Sequence, residues 1–547
     1  MWLGFMIPRA STKLKMIDNG VCLVDEKSVL FAVSEERLSR KKHDHRIERS
    51  IQAFLEFSQH SNKQLRSAGI SSCSDSPWQA KTLRGSAGKL KVTSVPSHHY
   101  SHALSAFMLS GFSESLVLVM DAGGNTYSAD DTRRWWETPR EQTSLWYGKN
   151  SRLYLLERRE FLPYEVGYGE CYRAFTHFLG WGSHTNSGNT MALAALGNHR
   201  SISENGIWDI TSLPMNTIRN EPDRPIEMVV KLLKRIGCKI PPRNPFEKIE
   251  QAHKDLAAWL QFSLVANVKE YLRKSFSLYA NNNVCLSGGV AFNCVMNSQI
   301  AEEFGKEHVF VTPFSGDVGQ CVGNALFARS LDLNDSPIEP IVDTFLGPEY
   351  PRSAIEKAMS TFGVCASHID KEMMDNMAAS ELSKGKVIAL FTGRSEFGPR
   401  ALGHRSVLGD PRSSVTLNRI KKAVKGRDDF MPLAPIVLPS LAMELDNSTA
   451  TSETMVFAPK IPQRLHGEFS GALHFDGTSR LQVSREGERS HRILELFFKI
   501  TGSRALINTS FNRRGEPIVE TPVDAIKTFL NTEIDYLILE DFWLSKK

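Results

Sequence analysis

Apolar positions along this chain cluster in short unbroken runs that end in glycine, aspartate or asparagine. Ser115-Leu-Val-Leu-Val-Met-Asp121 is one such run, closed by Ala122-Gly123-Gly124-Asn125-Thr126. Val284-Cys-Leu-Ser287-Gly288-Gly289 repeats the device, with Asn293 and Asn297 in the stretch that follows. Lys386-Val-Ile-Ala-Leu-Phe391 and Leu506-Ile507-Asn508-Thr509-Ser510 continue it in the last third. A short apolar run bounded by turn formers predicts a strand buried on both faces. Strand, glycine turn and helix in alternation predict an α/β chain.

The pattern breaks once. Leu331-Asp332-Leu333-Asn334-Asp335-Ser336-Pro337 is polar, and Pro340, Gly347-Pro348 and Pro351 follow it. Helices rarely continue through such a stretch, so it marks a joint. The expected division is 1–345 and 346–547, each part α/β. The length of 547 residues suits two to four domains at roughly 150 residues each. No internal repeat and no low-complexity tract alters that count.

Composition narrows the class. A fraction of 41% hydrophobic and 23% charged residues suits a soluble globular protein rather than a disordered one. Sixty-six Lys and Arg against 61 Asp and Glu leave +5, without the basic stripe of a nucleic-acid binder. No apolar run approaches the ~20 residues of a membrane span. No charged segment precedes Trp2, Leu3, Phe5 and Met6, so no signal peptide is expected. Eight cysteines without a C-x-x-C argue against a zinc knuckle or a disulfide framework, and for a reducing cytoplasm.

Candidate chemistry begins at Ser97-His98-His99-Tyr100-Ser101-His102. His98 and His102 are at i and i+4 and share a helix face, a spacing that suits a borderline divalent metal. A satisfied histidine cluster has the same spacing. Asp121 with Gly123 and Gly124 would present a carboxylate and bare N–H groups at a strand's C-terminal end, where phosphates and metals bind; a structural turn reads the same. Gly288 and Gly289 would let backbone approach a ligand. In Gly316-Asp317-Val318-Gly319, Asp317 is a candidate third metal ligand. Arg394, Arg400 and Arg405 fall within twelve residues, and Lys425-Gly426-Arg427 follows. Arginine forks suit bidentate phosphate recognition, and exposed surface charge is the plain alternative. There is no G-x-x-x-x-G-K-[ST], no G-x-S-x-G and no cysteine nucleophile motif.

Taken in order, these motifs resemble the carbamoyltransferase family of nodulation-factor and antibiotic biosynthesis. Ser34-Glu35-Glu36-Arg37-Leu-Ser-Arg40-Lys-Lys-His43-Asp44 is similar to its E-E-R-x-x-R-x-K-H-D element. The histidine pair, the Asp121 turn, S-G-G-V-A-F-N and G-D-V-G follow in family order. Glu396-Phe-Gly-Pro-Arg400-Ala-Leu-Gly403, Asp476-Gly-Thr-Ser-Arg480 and Asn508-Thr-Ser510-Phe-Asn512 complete it.

The resemblance implies an actin-like ATPase superfamily domain with two ribonuclease-H-like halves, then a YrdC-like α/β domain. It implies that carbamoyl phosphate and ATP, with Mg(II), give carbamoyl adenylate, and that the carbamoyl group passes to a hydroxyl of a small natural product. Fe(II) or another divalent metal would sit on His98, His102 and Asp317. Asp121, with Gly123, Gly124, Gly288, Gly289, Asn293, Gly316 and Gly319, would hold the adenylate and its metal. Arg400, Lys425, Arg427, Arg480, Ser510 and Asn512 would line the carbamoyl-phosphate pocket, and His102 or Asp121 would take the acceptor's proton. A homodimer is compatible with this reading. A tRNA-modifying enzyme of the threonylcarbamoyl type and a non-catalytic nucleotide-binding homologue are the alternatives. Three departures stand out: Met431 replaces a family arginine, Asn189 replaces a lysine, and Asp18 alone survives of the opening H-D-S-S.

Overall fold

The computed structural model describes residues 1–6, 18–59, 64–71, 90–125, 140–161, 167–182, 186–203, 224–333, 336–340, 343–364, 366–426, 428–445 and 451–546. It is mixed α/β and divides into two compact units. One comprises 2–10 and 65–340, the other residue 1, 11–64 and 341–547. The second unit therefore takes in residues 11–64, which a single cut at 345/346 would place in the first part. Distant contacts explain the grouping. Arg37 donates to the Gly398 carbonyl at 2.8 Å. Arg40 donates to the carbonyls of Ile518 (2.6 Å) and Pro517 (2.9 Å). Arg394 donates to the Leu30 carbonyl at 2.8 Å.

In the unit formed mainly by 65–340, the strand Glu114–Met120 is central. It pairs antiparallel with Arg140–Lys149, which pairs antiparallel with Arg152–Phe161. On its other edge it pairs parallel with Val284–Ser287, which pairs parallel with Val309–Val311. Leu116 to Met120 are fully buried, as the unbroken apolar run predicts. Val117 and Val119 pack on Ala103, Ala106 and Phe107 of the helix His98–Ser110. Trp2–Met6, Ser67–Ser71 and Lys91–Ser94 form a second parallel set.

The helix Gln320–Leu333 lies tightly against that set. A Cβ on Gly4 would overlap the Cys321 carbonyl, one on Gly69 the Asn324 carbonyl, and one on Gly323 the Ser101 carbonyl. The small residues are there because backbone meets backbone.

The other unit holds an eight-stranded mixed sheet. Its order is Ala366–His368, Phe542–Ser545, Tyr536–Leu539, Ile388–Phe391, Arg405–Gly409, Ala505–Ser510, Pro435–Val437 and Gln482–Val483. Alternation explains the run at 387–391. Ile388 and Leu390 join one core, with Met374, Ala378, Ile493 and Phe497 from helices on that face. Val387, Ala389 and Phe391 join the other, with Ile355, Ala525 and Phe529. Both faces are covered, so both parities are apolar. Among the described residues, no helix is long and apolar enough to cross a membrane.

Candidate functional site

The helix His98–Ser110 starts where it does because its first N–H groups are met. Ser97 Oγ accepts from Tyr100 N, Asn125 Oδ1 from His98 N at 3.1 Å, and Glu141 Oε2 from His99 N at 3.3 Å. That start sets His98 and His102 on one face, with Nε2 atoms 3.2 Å apart. Asp121 ends the central strand. Its Oδ1 accepts from Ala122 N at 2.7 Å, which turns Oδ2 to both imidazoles, 3.4 Å from each Nε2. Asp317 opens a turn into the helix Gln320–Leu333, with Oδ1 3.3 Å from His98 Nε2 and 3.6 Å from His102 Nε2.

These distances test whether a metal fits. Donors bonded at ~2.1 Å in a tetrahedron stand about 3.4 Å apart. The five separations run from 3.2 to 3.6 Å. Two imidazoles and two carboxylates offer electron pairs on one point, and both histidines are buried. The set fits a borderline divalent ion. Asp121 thus joins the three ligands expected from sequence.

The charges respond to this crowding. Burial would push the His102 imidazole down, but the Asp121 and Asp317 carboxylates outweigh it and raise it. Burial would raise both carboxyls. The imidazoles of His102 and His98 instead hold Asp121 well below the ordinary range, and they hold Asp317 low against burial and the Asp121 charge together. The third histidine, His99, faces away. Its Nδ1 lies 2.8 Å from Ser144 Oγ, and burial keeps it well below its ordinary value.

The glycines expected to approach a ligand approach the protein itself. Gly288 has φ +86°, and a Cβ there would overlap the Met120 carbonyl. A Cβ on Gly319 would overlap the Phe314 carbonyl, one on Gly316 would come within 2.8 Å of the Phe292 ring, and one on Gly124 would meet Glu141 and His99. Gly289 has Asp121 Oδ1 at 3.3 Å from its would-be Cβ, and Gly123 lies in the turn beyond Asp121. Asn293 caps the helix Cys294–Phe304, accepting from Met296 N at 3.0 Å, and pairs with Gln261 through both ends of its amide.

A second group forms in the other unit. Lys425 is buried just past the π-helical turn Arg419–Val424. Its Nζ donates to Ser510 O (2.7 Å), Ser510 Oγ (3.0 Å), Asn512 O (3.0 Å) and Asn512 Oδ1. Arg400 and Arg480 are partly exposed, and buried amides gather the residues beside them. Asn508 Nδ2 donates to Ala401 O at 3.2 Å and to Gln482 Oε1 at 2.6 Å, and Gln482 Nε2 donates to Leu402 O at 2.7 Å. Glu396 Oε1 accepts from Leu402 N (2.7 Å) and Arg405 N (3.2 Å), hooking the loop that carries Arg400. Gln482 was not singled out in sequence, and Glu396 and Asn508 were read only as parts of motifs; their hydrogen bonds to Leu402, Arg405, Ala401 and Gln482 show their part.

Two of the three clustered arginines donate to backbone carbonyls. Arg405 is fully buried, donates to Thr392 O (2.9 Å) and Gly393 O (3.0 Å), and lies 3.7 Å over the Phe391 ring. Arg394 donates to the carbonyls of Gly347, Leu346 and Leu30. Arg427 lies outside the described residues. Met431 is half-buried in the turn before Pro435–Val437, and Asn189 lies on the helix Ser187–Ala194.

Residues 78–326 match the carbamoyltransferase N-terminus family, and residues 379–546 match the carbamoyltransferase C-terminus family. Nodulation protein NolNO of Sinorhizobium fredii is 32% identical over 97% of this chain and 79% of its own length. The chain belongs to the carbamoyltransferase family. Nodulation protein NolO of Bradyrhizobium diazoefficiens is 32% identical to this carbamoyltransferase over 82% of this chain and 79% of its own length. The 3'-hydroxymethylcephem-O-carbamoyltransferase of Streptomyces clavuligerus is 28% identical over 47% and 48% of the two chains. A crystal structure of T. kodakarensis HypF aligns with 61% of this chain and 48% of its own at 14% identity and a TM-score of 0.33, a likeness too distant to bear on function.

Proposed function

We propose that this carbamoyltransferase forms carbamoyl adenylate from carbamoyl phosphate and ATP, then transfers the carbamoyl group to a hydroxyl of a small acceptor. The observation that carries the reading is a pair of clusters of opposite chemistry. His98, His102, Asp121 and Asp317 converge as electron-pair donors. Lys425, Ser510 and Asn512 converge as a cationic, hydrogen-bonding group, tied through Asn508 and Gln482 to the segments bearing Arg400 and Arg480.

The two groups suit two half-reactions. Lys425, Arg400 and Arg480 would bind the carbamoyl-phosphate dianion and neutralise charge as it shifts. Atom balance requires one water. Carbamoyl phosphate yields inorganic phosphate and carbamate, the carbamate oxygen takes the α-phosphorus of ATP, and pyrophosphate leaves. In the second half-reaction the acceptor oxygen attacks the carbamoyl carbon and AMP leaves. A divalent ion such as Fe(II) on the four-residue cluster would supply Lewis acidity. Asp121 Oδ1, turned to the Ala122 N–H and away from the imidazoles, would take the acceptor's proton.

Supporting the fold side of this reading, the strand Glu114–Met120 sits between an antiparallel hairpin and two later parallel strands, the order of a ribonuclease-H-like half. The eight-stranded mixed sheet is the YrdC-like candidate. A relative named as an O-carbamoyltransferase supports a hydroxyl acceptor.

The test is a coupled assay with ATP, carbamoyl phosphate and Fe(II), scoring pyrophosphate and AMP without acceptor. Pyrophosphate that depends on carbamoyl phosphate is expected. Its absence beside an active control enzyme refutes the adenylate step and points first at Met431.

A further inference from the structure

Gln320 follows Gly319 directly and is fully buried. Its Nε2 lies 3.1 Å from His98 Nδ1, 3.2 Å from His98 Nε2 and 3.4 Å from Asp317 Oδ1. Its end group therefore stands about as far from two metal ligands as they stand from one another. Whether it shows that cluster oxygen or nitrogen decides whether it can become a ligand.

A buried chain of hydrogen bonds settles the question. The Phe5 carbonyl can only accept, so Asn324 turns its NH2 there, at 2.9 Å. The same NH2 donates to Ser71 Oγ at 2.8 Å, and Asn324 Oδ1 accepts from Ser101 Oγ at 2.6 Å. Ser71 Oγ in turn donates its own proton to Gln320 Oε1 at 3.1 Å. Gln320 Oε1 is thereby directed away from the cluster and its NH2 toward it. An amide nitrogen has no lone pair to offer a metal. Ser71, Ser101, Gln320 and Asn324 are all buried, so water does not compete for these bonds. The Gly323 and Gly69 approaches described above hold the helix too close for Gln320 to leave.

We propose that Gln320 is a positioning residue of the metal centre. Its N–H groups steer Asp317 onto the ion, and its orientation, set from the Phe5 carbonyl, withholds a fifth protein ligand. This rests on the metal reading under Proposed function.

Cobalt(II) titration of the purified full chain tests it, read by visible absorption, with thermal melting to confirm folding. Gln320→Leu removes the donor to Asp317 and is expected to weaken binding about 10-fold, the scale of a lost outer-shell partner. Gln320→Glu turns a carboxylate oxygen to the ion. It is expected to bind at least about 10-fold more tightly, with the intense four-coordinate cobalt bands weakened as the coordination number rises. Ser71→Ala frees the amide to turn and should move the spectrum the same way by less. Wild-type affinity and spectrum in Gln320→Glu overturn the proposal, as does unchanged binding in Gln320→Leu. Should Gln320→Leu not fold, Gln320→Glu and Ser71→Ala decide. His98→Ala separates the two levels. If it binds cobalt like wild type, the metal reading itself falls; if it loses cobalt while the Gln320 variants behave as wild type, only the Gln320 role falls.

Discussion

The two clusters solve opposite problems with similar means. Around His98, His102, Asp121 and Asp317 the protein packs electron-pair donors within 4.8 Å of one another, an arrangement that repels itself unless a proton or a metal ion sits among them. Around Lys425 it packs an ammonium whose N–H groups are met by oxygens of Ser510 and Asn512, with arginines on the adjoining segments, a net positive group. In each, neutral amides do the aligning: Gln320 and Asn324 in the first, Gln482 and Asn508 in the second. Amides carry donor and acceptor together, so they order charged groups without adding charge of their own.

The contrast breaks most visibly if the clusters are disabled singly. Asp317→Ala should lower carbamoyl transfer about 10³-fold, the several kcal/mol expected of a Lewis acid. Pyrophosphate release driven by carbamoyl phosphate should persist, and loss of both would join the clusters in one step. An Fe(II)-selective chelator in excess Mg(II) should reproduce that split, and added Fe(II) should reverse it. Lys425→Ala is the mirror image. Pyrophosphate release should fall about 10²-fold or more while cobalt affinity stays at the wild-type value.

Smaller effects sharpen the comparison. Asn508→Ala strips the donor from Ala401 O and Gln482 Oε1. It should cost about 1–3 kcal/mol of stability, measured by denaturant unfolding, and raise the KM for carbamoyl phosphate. The smallest effect is a pH slope. Burial pushes the His474 imidazole from 6.5 to about 4, with Arg480 adding to the effect and Asp476 opposing it. Below pH 6.5 the unfolded chain takes a proton that the fold refuses until about pH 4. Stability should therefore fall across that window, by up to about 3 kcal/mol, and level off below it. His474→Gln should flatten that slope in melting curves taken between pH 7 and 4.5.

Much of this was legible in the chain. The i, i+4 histidines, the carboxylate closing an apolar run and the aspartate between glycines are local patterns, and each reports a side chain's place on its own element. The runs at 116–120 and 387–391 read as doubly buried strands and are so. The arginines read less well. Arg394, Arg400 and Arg405 look alike in sequence, yet two of them satisfy backbone carbonyls. A guanidinium fork fits a carbonyl pair as readily as a phosphate, so residue type alone does not separate the uses. The glycines at 288 and 319 showed that backbone comes close to something; the structure shows it is the protein's own Met120 and Phe314.

By itself the sequence determined the family, the α/β class, and the strands and their turns. These follow from periodicity and from motifs a few residues long. The tertiary structure alone decided that Asp121 shares a point with His98, His102 and Asp317, that residues 11–64 group with 341–547, and which way the Gln320 amide faces. Those outcomes depend on hydrogen bonds between residues hundreds of positions apart, such as Asn324 to Phe5. No local pattern encodes which distant carbonyl a buried donor will find.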